Sequence, residues 1–73
     1  MNWKSDVHLI VEQICPVGEI FDLEDVYKYN GYLQKLHPNN NHISDKVRQI
    51  LQQLRDDGII EFSDNNGCYK RIK

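Results

Sequence analysis

Four apolar residues in the second half of the chain, Val47, Ile50, Leu51 and Leu54, are spaced so that one backbone conformation gathers them on one side. The spacing follows the 3.6-residue helical period and not the strict alternation of a strand. With Ser44 as N-cap and Gly58 just beyond the C-cap, it predicts a helix over 44–57. Burying that stripe forces Ser44, Asp45, Arg48, Gln49 and Gln52 outward, mostly on one side. Two β-type runs follow, 59–63 and 67–72, around the segment Asp64-Asn65-Asn66-Gly67, and Asn-Gly is a strong hairpin signal.

Upstream, Val7, Ile10, Val11 and Ile14 predict a shorter amphipathic helix over 5–14, with Ser5 as its N-cap. Cys15-Pro16-Val17-Gly18 ends it, since proline disfavours helical geometry in the residue before it. Ile20-Phe21 forms an extended link long enough for a short strand. Asp22 then caps a second helix, and Asp25 three residues on completes an acidic capping box. That helix buries Leu23, Val26 and Tyr27, with Leu33 and Leu36 further along; Asn30-Gly31 leaves it either one long helix or two short ones. His37-Pro38-Asn39-Asn40-Asn41 is a loop. The order is helix, strand, helix, helix and hairpin. This is an α+β fold, mainly α: a winged helix-turn-helix of three helices plus a C-terminal β-hairpin wing.

Seventy-three residues make one domain, 1–73, and leave little volume for a deep catalytic cavity. No nucleophile sits beside a base, no Gly-rich phosphate loop is present, and no pair of acids precedes a Glu-x-Lys nuclease signature. The expectation is therefore a binding domain rather than an enzyme, with no cofactor and no small-molecule substrate. His8, His37 and His42 are too scattered for a metal site, and Cys15 and Cys68 cannot make one by themselves. Without a secretory signal the two thiols are expected reduced, in the cytoplasm. No apolar run approaches a membrane span.

Charge is distributed unevenly. Residues 1–25 carry Lys4 against six acids, a net of −5, whereas residues 26–73 carry eight Lys or Arg against five acids, a net of +3. The basic remainder holds the residues suited to duplex DNA. An Arg binds guanine O6 and N7 bidentately, a Gln does so with adenine N6 and N7, and an Asp accepts from cytosine N4. Arg48, Gln49, Gln52 and Asp45 supply that chemistry on one helix face, and Lys46, Arg55, Lys70 and Arg71 supply charge for phosphates. His42, just before the helix, is a phosphate candidate too. Lys73 lies beside them at the chain end. Asn65-Asn66 is expected to serve the turn more than the DNA, and Tyr27, Tyr29 and Tyr32 to pack against the bundle. Trp3 is expected to cover the domain edge.

Several segments together carry a resemblance: Phe21-Asp22-Leu23-Glu24-Asp25-Val26-Tyr27, His37-Pro38-Asn39-Asn40, the stretch from Lys46 through Asp56, Gly58-Ile59-Ile60-Glu61-Phe62 and Gly67-Cys68-Tyr69-Lys70. Over 21–72 the chain resembles the winged-helix DNA-binding domain of the Dam-replacing family of type II, methyl-directed restriction endonucleases. The resemblance implies sequence recognition, in some members of adenine-methylated DNA, by a domain that follows a metal-dependent nuclease domain. It implies DNA contact at Lys46, Arg48, Gln49 and Gln52, while Arg55 pairs with Asp56 or Asp57 or meets the backbone. The nuclease is absent from this chain, so any cutting belongs to a separate domain. The expected partner is double-stranded DNA. The alternative is a protein-interaction or dimerisation module, with Trp3, the tyrosines and the acidic first third as its contact surface.

Overall fold

The computed structural model describes residues 2–64 and 67–73. Along the chain run α1 (Trp3–Ile14), β1 (Ile20–Asp22), α2 (Leu23–Tyr27), α3 (Asn30–Leu36), α4 (Ile43–Asp56), β2 (Ile60–Phe62) and β3 (Cys68–Arg71). This is the expected winged helix-turn-helix, with the middle helix divided in two. The division falls at Lys28 and Tyr29, and Asn30-Gly31 instead opens α3. Asp22 and Asp25 make the capping box at the start of α2: each carboxylate accepts the other residue's amide, at 2.9 and 3.1 Å.

Two helix starts differ from expectation. Asn2, not Ser5, caps α1, its Oδ1 accepting the amides of Lys4 at 2.8 Å and Ser5 at 3.3 Å. The cap lies upstream of the apolar pattern because Trp3 and Lys4 already belong to the helix. Ser44 is likewise not a cap. It lies inside the first turn of α4, where its Oγ accepts from Asn30 Nδ2 of α3 at 2.9 Å. The end of α4 matches: Gly58 follows the C-cap Asp57 with φ +77°, the left-handed conformation that ends helices with little strain in glycine.

The three strands form one antiparallel sheet in the order β1-β3-β2. Phe21 and Phe62 both lie opposite Tyr69, and Ile60 opposite Arg71, so these five side chains share the face turned toward the helices. Ile20, Glu61, Cys68 and Lys70 occupy the other face. The inner face joins Val7, Ile10 and Val11 of α1, Val26 of α2, Leu33 of α3 and the α4 stripe in one core. The hairpin tip, Asn65-Asn66, falls outside the described residues.

Polar ties fix how the helices sit on that core. His37 Nε2 lies 2.7 Å from Asp6 Oδ2, with both side chains nearly buried, and the His37 ring stacks on Trp3 with centroids 4.0 Å apart. The loop between α3 and α4 is thereby pinned to α1. Gln34 Nε2 donates to the carbonyl of Asn40 at 3.0 Å, and Asn40 Oδ1 accepts the His42 amide at 2.7 Å. At the far end of α1, Arg71 Nη1 donates to the Cys15 carbonyl at 2.9 Å.

Leu51 is fully buried at the centre of the stripe. Leu51→Ala is expected to lower stability by about 2–5 kcal/mol, a large fraction of the total for a domain this size, read as a shift in denaturant midpoint. A change under half a kilocalorie (~0.5 kcal/mol) would contradict the packing described. Burial also pushes the Cys15, Cys68, Tyr27 and Tyr69 protons toward retention, raising each group above its ordinary value. The unfolded chain then loses these protons first. Stability should be complete below the ordinary values, 9.0 for the thiols and 10.0 for the phenols, and should fall as pH rises beyond them. Denaturation series from neutral pH upward would expose the opposite trend.

Candidate nucleic-acid interface

The outward face of α4 is set by which residues go inside. Ile43, Val47, Ile50, Leu51 and Leu54 are buried, so Asp45, Arg48, Gln49 and Gln52 stand on the solvent side, all exposed. Four of the residues expected from the sequence thus share one face. Lys46 and Ser44 sit half-buried on opposite flanks, and His42 is exposed at the helix start, with no side-chain cap bond of its own. A shallow cleft of about 490 Å³ separates α3 from this first turn, lined by Asn30, Gln34, His42 and Asp45 among others. At its edge Asn30 Oδ1 is enclosed, with no hydrogen-bond partner among the described residues.

On one flank α4 meets a cluster of aromatic rings. The Arg48 guanidinium acts against the burial-driven rise of both the Tyr27 and the Tyr69 phenol, which puts its charge within electrostatic reach of each. Tyr69 lies between Phe21, which stacks on it, and Phe62, which is tilted against it by 33°, each with its ring centroid 5.4 Å away. Arg55 lies over the Phe62 ring, its Cζ 4.7 Å from the centroid. Its Nε and Nη2 donate to Asp56 Oδ1 at 3.4 and 3.3 Å, so it pairs with Asp56, one of the partners expected for it. Asp57 pairs with Lys4 instead. Arg48 and Lys46 make no ion pair among the described residues.

The two basic residues of β3 have different environments. Lys70 is exposed on the outer face, opposite Ile20 and Glu61. Arg71 is turned inward and spends its guanidinium on backbone carbonyls: Cys15 at 2.9 Å, Lys73 at 2.9 Å and Glu12 at 3.5 Å. Its geometry is that of a clasp on the end of α1, not of an arm free for phosphate. Sequence reasoning also passed over Phe62. Its place two residues after Ile60 was a legible sign that both share a face, but nothing in the pattern announced Arg55 above it.

No three His, Cys, Asp or Glu side chains converge as metal ligands among the described residues. Burial raises both thiols, which disfavours the reactive thiolate at neutral pH. No helix of the described residues is long and apolar enough to cross a membrane.

Arg71→Ala should cost about 1–3 kcal/mol of stability, because it leaves the α1 carbonyls without a charged donor. Lys70→Ala should stay within about 0.5 kcal/mol of the parent. Equal effects in thermal or denaturant unfolding would contradict the different roles described.

The family model described as the Dam-replacing HTH domain matches residues 1–71, so it takes in α1 as well as the segments in which the resemblance is visible by eye. A helix pair joined by a turn, with the second helix presenting polar side chains outward, is the arrangement a helix-turn-helix uses to enter the major groove. The chain belongs to the Dam-replacing helix-turn-helix family and is a DNA-binding domain.

Proposed function

We propose that the chain binds duplex DNA with α4 in the major groove, and that it serves as the specificity domain of a restriction endonuclease-like protein. It has no catalysis of its own in this reading, and any nuclease active site lies in a separate domain. The observation that carries the reading is the outward face of α4, where Arg48, Gln49, Gln52 and Asp45 stand together and Arg48 makes no ion pair among the described residues. Arg48 and the two glutamines would read base edges. Lys46, His42 and Arg55 would meet phosphates at the flanks, with Ser44 near the backbone at the helix start. Lys70, on the outer face of the hairpin, would reach phosphate only alongside the wing. Arg71 is left out of the contact set because its Nη1 is engaged at the end of α1 and its Nε at the Lys73 carbonyl. Its compartment in this reading is the cytoplasm.

A second reading is favoured by one surface. Leu9 and Tyr32 are each more than half exposed beside Ile10 and Tyr29, in a groove of about 350 Å³ between α1 and α3. Such a groove suits a protein-interaction or dimerisation module, since a fold alone does not decide function.

Fluorescence anisotropy with labelled duplexes at several salt concentrations tests the first reading. Several phosphate contacts predict a log–log salt slope of about −0.9 for each. Arg48→Ala should weaken binding to a preferred sequence by about 1–3 kcal/mol and relax preference at one base pair. Matched duplexes with and without adenine methylation would report inherited specificity in the same titration. A flat salt response would sink the proposal. Leu9→Ser together with Tyr32→Ser, both in the groove, separates the two readings: DNA binding should persist, whereas docking in the groove would be lost.

A further inference from the structure

Arg55 and Phe62 form a unit whose geometry the fold itself does not require. Phe62 is half exposed at the end of β2, although its neighbours Ile60 and Tyr69 already seal that side of the core. One side of its ring contacts Tyr69, and the Arg55 guanidinium covers the ring at 4.7 Å. A guanidinium held over an aromatic ring has fewer orientations open to it and loses less freedom when its fork binds a planar or tetrahedral oxyanion. Cation–π attraction supplies the hold.

Asp56 is the second part of the unit. An acid in the last turn of a helix opposes the helix dipole, so Asp56 is not accounted for by helix stability. Its side chain is 69% exposed, and its partner is Arg55, at the long distances of 3.3 and 3.4 Å. Such a contact satisfies part of the guanidinium fork at long range while yielding easily to an acceptor free to approach more closely. A phosphate oxygen is one.

From this arrangement, and resting on the DNA reading above, we infer that Phe62 is a positioning residue that presents Arg55 to a backbone phosphate where α4 meets the hairpin, and that Asp56 is the built-in competitor for that phosphate. The site binds one phosphodiester and carries no base preference. Asp56 holds Arg55 in the free protein and is displaced on binding, which lowers affinity for every sequence alike and leaves discrimination to the outward face of α4.

A double-mutant cycle tests this, using a labelled duplex pool of mixed sequence over a range of salt, with circular dichroism confirming that each variant is folded. Phe62→Leu should weaken binding about 2- to 5-fold, and Phe62→Tyr, which keeps the ring, should restore it. Arg55→Ala should weaken binding and reduce the steepness of the salt slope by about 0.9. In the Arg55→Ala background the Phe62→Leu loss should vanish. Asp56→Asn should tighten binding more than Asp57→Asn, which removes the same charge from a residue paired with Lys4. That difference should also vanish once Arg55 is gone. If Phe62→Leu costs as much with Arg55 absent as with it present, the positioning role is overturned while the DNA reading stands. If the parent chain binds no duplex at any salt, the DNA reading itself is overturned.

Discussion

Burial of the α4 stripe is the constraint to which the rest of the domain conforms. Val47, Ile50, Leu51 and Leu54 are all nearly inaccessible, and α1, α2, α3 and β2 pack against the helix that carries them. A helix rotates as a rigid unit, so sealing these four positions also determines where every other α4 side chain points. Turning the helix by one residue would bring Arg48 toward the core in exchange for Val47. An unpaired buried guanidinium is far more costly than a lost valine contact. The polar face is therefore held in direction by the apolar one.

Direction is not yet position, and position comes from polar contacts that span long stretches of sequence. The Asp6–His37 pair and the Trp3–His37 stack draw the α3–α4 loop onto α1. Arg71 brings the end of β3 to the end of α1, and Asn30 joins α3 to the first turn of α4. A nearly buried polar pair gains little net stability, because desolvation offsets most of its attraction. Its effect here is geometric. Apolar side chains tolerate small slides against one another, whereas a hydrogen bond within 3 Å does not. The helix-turn-helix angle is thus held by groups that contribute modestly to the folding free energy.

These two kinds of interaction explain how much of the molecule could be read from its residues. The α4 stripe, the Asp22–Asp25 capping box, Gly58 and the hairpin are local signals, and each appears where periodicity or turn chemistry puts it. Helix starts were less legible. Ser5 and Ser44 have the right side chains for caps, yet Asn2 takes one role and Ser44 is drawn to Asn30 instead. His37 looked partnerless because its carboxylate lies thirty-one residues away. Arg71 looked like any basic residue at a chain end until β3 placed it beside Cys15. The first helix was legible as a helix but not as part of a family, since amphipathic spacing is common to many folds; its place within the matched 1–71 rests on more than period.

Net charge shows the same difference between composition and arrangement. A value of −2 argues mildly against a polyanion partner. Yet several acids of the first third are already occupied at short range: Asp6 with His37, Glu12 with His8, and Asp22 and Asp25 with backbone amides. Asp57 is held by Lys4. Exposed charges fade over a Debye length of about 10 Å at 0.1 M salt, against a molecule 33 Å long. In the proposed reading a phosphate approaching α4 would meet chiefly Arg48, Lys46 and Arg55, tempered by Asp45 and Asp56. Its interaction energy would be set by those five side chains rather than by the sum over the chain.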